Sequence, residues 1–266
     1  VTGYLPAIDD FALAADLVQA AGRLAARMLA EGLETRHKSS VTDVVSAADH
    51  AAEELVVSGL AEARPDDGIV GEEGTELTGD RTWFIDPVDG TYNFLSGLPD
   101  WCSALALAER SPDGDWTPLL GAVYQPTADE LWLGGVGRRT TCNGTAVPWL
   151  ADTPLAELSL ASYLHPATLF DAAVRQPVLS VLANAATLRM FGSGSAEMAG
   201  VAAGRLGAWL QREVPGWDWL PGAALVTAAG GSTAVVEHRG QRWHIAGNAL
   251  AVEQIRHLLT GNPVIS

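Results

Sequence analysis

The sequence predicts a mixed α+β chain of the α/β class, on three observations. Its opening segment carries apolar residues at helical spacing, its middle consists of short apolar runs between turn residues, and its last part mixes both patterns. From Asp9 to about Leu29 the apolar positions Phe11, Ala15, Val18, Ala21, Leu24 and Met28, preceded by Ile8, mark one face of an amphipathic helix. A second helix is expected to open near Ser46, where Ser46-Ala47-Ala48-Asp49 resembles a capping box, and to run to about Leu60. Strands are expected at Ile69–Gly71, Trp83–Ile85, Ser103–Ala108, Leu119–Tyr124 and Glu130–Leu133. Turns at Pro112-Asp113-Gly114-Asp115 and Pro126-Thr127-Ala128-Asp129 would close hairpins. Beyond Ala151 come helices at Ala167–Val174 and Pro177–Ala186, with strands at Ser159–Ala161 and Thr233–Glu237. The halves 1–150 and 151–266 are comparable in size, which places an expected boundary near Leu150.

Composition narrows the function. With 48% hydrophobic and 18% charged residues, the 266-residue chain can bury a real core and is not disordered as a whole. Against 16 Lys and Arg stand 32 Asp and Glu, and the net charge of −16 argues against nucleic acid or an anionic membrane as partner. Cys102 and Cys142 have no zinc-site spacing and read as ordinary thiols. Val1–Pro6 shows neither a basic start nor an apolar run, and no later segment stays apolar long enough to span a bilayer, so a cytoplasmic location is expected.

The chemistry concentrates in Trp83-Phe84-Ile85-Asp86-Pro87-Val88-Asp89-Gly90-Thr91. A strand ending at Ile85 would deliver Asp86 to its carboxyl end, Pro87 would stop the ladder, and Gly90 would permit a sharp turn. Two carboxylates three positions apart suit hard divalent cations, and a helix opening at Gly90-Thr91 would aim free amides at the same space. Taken alone, Asp-Pro and Asp-Gly are equally ordinary turn dipeptides.

This run resembles the first motif of the inositol monophosphatase family, and Trp217-Asp218 through Gly230-Gly231 resembles the second. Gly71-Glu72-Glu73 and the stretch from Lys38-Ser39-Ser40 through Asp43 to Asp49 match between them, so the likeness covers nearly the whole chain. The resemblance implies a layered αβαβα sandwich, a lithium-sensitive homodimer, and a phosphomonoesterase acting on small phosphorylated alcohols, inositol monophosphate first. It implies two to three Mg2+ ions per site: Glu72, Asp86 and the Val88 carbonyl on one, Asp86, Asp89 and Asp218 on another, a third near Glu72. Thr91 paired with Asp49 would orient and deprotonate the attacking water, and the Gly90 and Thr91 amides would bind phosphate. Phe191-Gly192-Ser193-Gly194 resembles the loop that touches substrate, which adds Gly192 and Ser193.

The sequence also departs from the family pattern. Leu220 and Pro221 stand where small residues are expected, and Gln211 where many inositol-specific members carry a glutamate; Glu213 is the alternative for that role. Histidinol phosphate, fructose bisphosphate and phosphoadenosine phosphate are therefore alternative substrates, with Arg138-Arg139, Arg175 or Arg189 as cations for a second phosphate. A non-catalytic metal- and phosphate-binding module is the alternative from another class.

Overall fold

The structure, a computed structural model, describes residues 9–34, 41–111 and 114–261, and the side chains of residues 33–34 and 41–46 fall outside that description. Val1–Pro6, Lys38-Ser39-Ser40 and Pro112-Asp113 lie outside the described residues. Helices α1 (Asp10–Glu34) and α2 (Val41–Ala63) lead into β1 (Gly68–Gly71), β2 (Glu76–Leu77), β3 (Arg81–Asp89) and a short α3 (Thr91–Ser96). Strands β4 (Cys102–Arg110), β5 (Trp116–Gln125), β6 (Glu130–Gly135), β7 (Arg138–Cys142) and β8 (Thr145–Ala146) complete a sheet of order β2-β1-β3-β4-β5-β6-β7-β8. Next come β9 (Ser159–Ser162), α4 (Ala172–Leu182), β10 (Thr187–Arg189), α5 (Gly194–Ala202), β11 (Ala208–Arg212) and α6 (Gly216–Ala228). The chain then forms β12 (Ser232–His238), β13 (Gln241–Gly247) and α7 (Ala249–Thr260), giving a second sheet of order β10-β9-β11-β13-β12.

The period-two alternation of the first sheet decides what covers each face. In β4, Leu105 and Leu107 pack with Trp83, Ile85 and the buried face of α1 and α2. Their neighbours Ala106 and Ala108 turn the other way, toward Phe84 and Leu220 of α6. Alanine on that face lets a helix backbone come close, and Gly121 of β5 takes the approach furthest: a Cβ there would collide with the Pro221 carbonyl oxygen. On the second sheet, Leu160, Leu210, Trp243 and Ile245 pack with α4 and α7, while Ala161, Trp209 and Ala246 share a cluster with α5 and α6. The layers are thus α1/α2, sheet, α5/α6, sheet, α4/α7, the αβαβα sandwich that the resemblance implied.

Three expectations need correction. α2 already runs from Val41 to Ala63, so Ser46 and Asp49 lie inside it and the expected helix opening at Ser46 is not there. β3 does not stop at Pro87: its ladder with β4 passes from Asp86↔Ala104 to Asp89↔Cys102 through a bulge, the device by which a strand admits a residue with no amide proton. Pro177 does not open a helix. One helix, α4, runs through it, capped by Asp171, whose Oδ1 accepts from Ala173 N at 2.8 Å, after a 3-10 turn at Pro166–Phe170. Among the described residues no helix is long and apolar enough to cross a membrane.

Candidate active site

Each functional side chain is placed by a chain end or a turn. β1 and β3 run parallel, with Gly71 beside Ile85, and the Glu72 amide donates to the Ile85 carbonyl at 3.1 Å, which sets Glu72 next to Asp86. The bulge frees the Pro87 and Val88 carbonyls: Ser103 Oγ donates to the first at 2.5 Å and Thr91 Oγ1 to the second at 3.2 Å. Gly90 then turns the chain at φ 96°, a conformation that disfavours a side chain, and a Cβ would also press on Asp100 and the Gly192-Ser193 loop at 3.0–3.2 Å. Asp218 arrives from the first turn of α6, between Trp217 and Trp219.

Glu72, Asp86, Val88, Asp89 and Asp218 line one cavity of about 300 Å³. Gly90, Thr91, Gly192, Ser193 and Gln211 line the same cavity. Asp49 does not line it but lies near enough to feel Glu72 and Glu73. The expected Thr91–Asp49 pair is not made: the tight turn at Gly90 carries the Thr91 hydroxyl back three residues to the Val88 carbonyl. None of Arg138, Arg139, Arg175 and Arg189 lines this cavity; the first two border a separate one of about 650 Å³.

The electrostatics are dominated by crowded acids. Burial first, then Asp89, Glu72 and Asp218, push the Asp86 carboxyl well above the usual carboxylate range. Asp218 is pushed up to about 8 by burial and then by Asp89. Asp49 also rises to about 8, through burial followed by Glu73, Glu72 and Glu53. Glu72 sits on an exposed loop, yet partial burial of its carboxyl and nearby acids still raise it. Asp89 is raised by burial and partly relieved by α5, whose Gly194 and Ser195 amides donate to Oδ1 and Oδ2 at 3.2 and 2.5 Å.

Two buried acids escaped the sequence reading. Glu53 of α2 accepts from the Glu73 amide at 2.8 Å, the Thr75 amide at 3.3 Å and Thr75 Oγ1 at 2.6 Å, and so shapes the loop that carries Glu72. Glu197 lines the cavity, accepts from the Phe191 and Gly192 amides at 2.7 and 3.2 Å and from Trp209 Nε1 at 3.0 Å, and is raised to about 7 by burial. Either could be a solvated helix glutamate by local sequence, and only the fold shows what it holds.

A hard divalent cation fits this set. The donors are carboxylate and carbonyl oxygens, Asp86 Oδ1 is buried without a hydrogen-bond partner, and the acids repel one another. Among the described residues no three His, Cys, Asp or Glu side chains are yet drawn into a finished ligand set, and Asp89 spends both oxygens on α5. Cys102, a free and buried thiol, lies behind Asp89 with Sγ 3.8 Å from Oδ2.

Residues 9–261 match the inositol monophosphatase family. Among similar proteins, a histidinol-phosphatase of Streptomyces coelicolor is 33% identical over 92% of this chain and 92% of its own length. An inositol monophosphatase 3 of Solanum lycopersicum is 32% identical over 81% of this chain and 83% of its own. The solved extragenic suppressor protein suhB of Bartonella henselae superposes with a TM-score of 0.78 at 28% identity, covering 93% of this chain and 97% of that one. The chain belongs to the inositol monophosphatase family, and it is a phosphoric monoester hydrolase.

Proposed function

We propose that this chain hydrolyses phosphate monoesters of small alcohols, inositol monophosphate first among them, with magnesium held by Glu72, Asp86, the Val88 carbonyl, Asp89 and Asp218. The observation that supports it is the meeting, in one cavity, of these oxygen donors with the Gly90-Thr91 turn and the Gly192-Ser193 loop. Magnesium bound there supplies Lewis acidity, making water a better nucleophile and stabilising the departing alkoxide.

The chain's own groups do the positioning. The Thr91 hydroxyl has committed its proton to Val88, so its oxygen lone pairs are left to accept from the attacking water. Asp49, buried beside Glu72 and Glu73, is close enough to that acidic loop for its carboxylate to take part in moving the water's proton. The Gly90 and Thr91 amides face the phosphate. Water forms the new bond to phosphorus, the ester oxygen leaves, and the water's proton ends on the alcohol. Gln211 and the Gly192-Ser193 loop contact the alcohol itself.

A homodimer in the cytoplasm completes this reading. Histidinol phosphate is the second substrate it admits, because the Streptomyces coelicolor relative, a histidinol-phosphatase, matches along 92% of the chain. The test is phosphate release from inositol phosphate, histidinol phosphate, fructose bisphosphate and phosphoadenosine phosphate, with and without magnesium, beside Asp89→Asn. Magnesium-dependent release that Asp89→Asn abolishes supports the assignment; release indifferent to magnesium or to that variant rejects it.

A further inference from the structure

Of the carboxylates proposed to hold magnesium, Glu72 alone is exposed; Asp86 and Asp89 are buried and Asp218 is half-buried. A ligand on an exposed loop loses affinity to the entropy of ordering unless its backbone is fixed beforehand. Here the backbone is fixed from two sides.

On one side, the Glu72 amide donates to the Ile85 carbonyl of β3 at 3.1 Å. On the other, the chain closes a turn in which the Gly71 amide donates to the Thr75 carbonyl at 2.8 Å, and the groups beyond Glu72 wrap around the Glu53 carboxylate of α2. The Glu73 amide reaches Oε2, while the Thr75 amide and hydroxyl both reach Oε1. Both oxygens are engaged and every partner is a donor. A glutamine at this position would have to turn its NH2 group against one of those donors, so the turn calls for a carboxylate.

Two neighbours belong to the same arrangement. A Cβ at Gly71 would collide with the Glu53 carboxylate, so glycine there is what lets the acid lie beneath the turn. One turn earlier on α2, His50 Nδ1 lies 3.1 Å from Glu73 Oε2 and tethers the loop a second time.

Stability alone does not call for this acid. Glu53 is 3% exposed, forms no ion pair among the described residues, and adds its repulsion to Asp49 and Glu72. A buried charge placed among like charges is costly until a cation answers it.

We propose that Glu53 is a positioning residue for magnesium: seated under the turn by Gly71, it holds the Glu72 backbone in place and so sets the affinity of the ion that Glu72 binds, touching neither metal nor substrate. The proposal rests on the metal assignment above and deepens it.

The test reads metal binding without substrate. Mn2+, which takes the same oxygen donors, is titrated into metal-free protein and followed by the electron paramagnetic resonance signal of the free ion. Glu72→Gln identifies the site that the loop serves, and Glu53→Gln should weaken that site about tenfold. Half-saturating magnesium for phosphate release should rise by the same factor, with kcat at saturating magnesium within about twofold of the wild type. Gly71→Ala keeps the charge but removes its seat, and should also weaken the site about tenfold. Thr75→Val removes one bond of the three and should weaken it by about fivefold at most; it keeps the test open should either of the other two not fold. Glu54→Gln takes the same charge from the exposed face of α2 and should leave Mn2+ binding unchanged.

Unchanged affinity in Glu53→Gln overturns the proposal. So does a loss that neither Gly71→Ala nor Thr75→Val shares, because charge alone would then explain it. A wild-type chain that binds no Mn2+, or a Glu72→Gln chain that binds it as the wild type does, strikes the metal assignment itself, and the proposal falls with it.

Discussion

The two ends of β3 treat buried charge in opposite ways. At its start, Arg81 Nη2 bonds Asp10 at 2.9 Å and Asp67 at 3.1 Å, Arg64 bonds Asp10 at 2.7 Å, and Trp83 Nε1 donates to Asp67 at 2.9 Å. At its finish, Asp86 and Asp89 face Glu72 and Asp218: burial drives all four upward, and neighbouring acids add to the rise in Glu72, Asp86 and Asp218. One strand, nine residues long, thus carries a network that answers its own charges and a cluster that leaves them unanswered. The first end is what stability alone produces; the second is the pattern expected of a functional site, and it fits the cation proposed above.

Mutations can break this comparison. Asp86→Asn should lower magnesium-dependent kcat by about 10² or more. The thermal midpoint of chelated protein should hold or rise, since one repelling charge is gone. A large loss of that midpoint would show that Asp86 is structural after all. Asp10→Ala removes the carboxylate that Arg64 and Arg81 share, leaving Arg81 its bond to Asp67, and should do the reverse, costing about 1–2 kcal/mol, or roughly 2–8 °C of midpoint, with kcat/KM retained.

Titration sharpens the same contrast. Asp49 and Asp218 have folded values of about 8 against 3.8 for an aspartate in water, so the fold holds more protons than the unfolded chain between those values. Their contribution is complete below the lower value and is lost as pH rises through the upper one. Chelated protein should therefore lose midpoint between about pH 5 and pH 8, and magnesium should restore it most at the alkaline end. The smallest effect has the opposite sign. Burial, then Arg242, lowers His244 from 6.5 to about 4, so its contribution is present above 6.5 and fades as pH falls toward 4; His244→Phe should flatten that acid limb in a melting series.

The acidic end of β3 was legible because its chemistry is local: Asp86, Pro87, Asp89 and Gly90 lie within five positions, and Asp218 is flanked by two tryptophans. The layering was legible through the family resemblance, and its elements through the helical spacing of α1 and the short apolar runs of the first sheet. What stayed hidden depends on distant neighbours. Glu53 and Glu197 gain roles only when helices dock them under loops, and the start of α2 at Val41 could not outweigh the capping signal at Ser46. Pro177 reads as a helix break, yet Val174, Val178 and Val181 pack against the second sheet and carry α4 through it.

Gly121 carries no chemistry, but it fixes a distance. Backbone meets backbone where β5 passes under Pro221, and Pro221 lies three residues beyond Asp218 on the same helix. No side chain stands between them to adjust, so the first carbon added at Gly121 would lift α6 bodily and carry Asp218 away from Asp86. A scan of substitutions scored by activity would thus find, among its most sensitive positions, a residue that binds nothing, and one that no inventory of acids and nucleophiles would nominate.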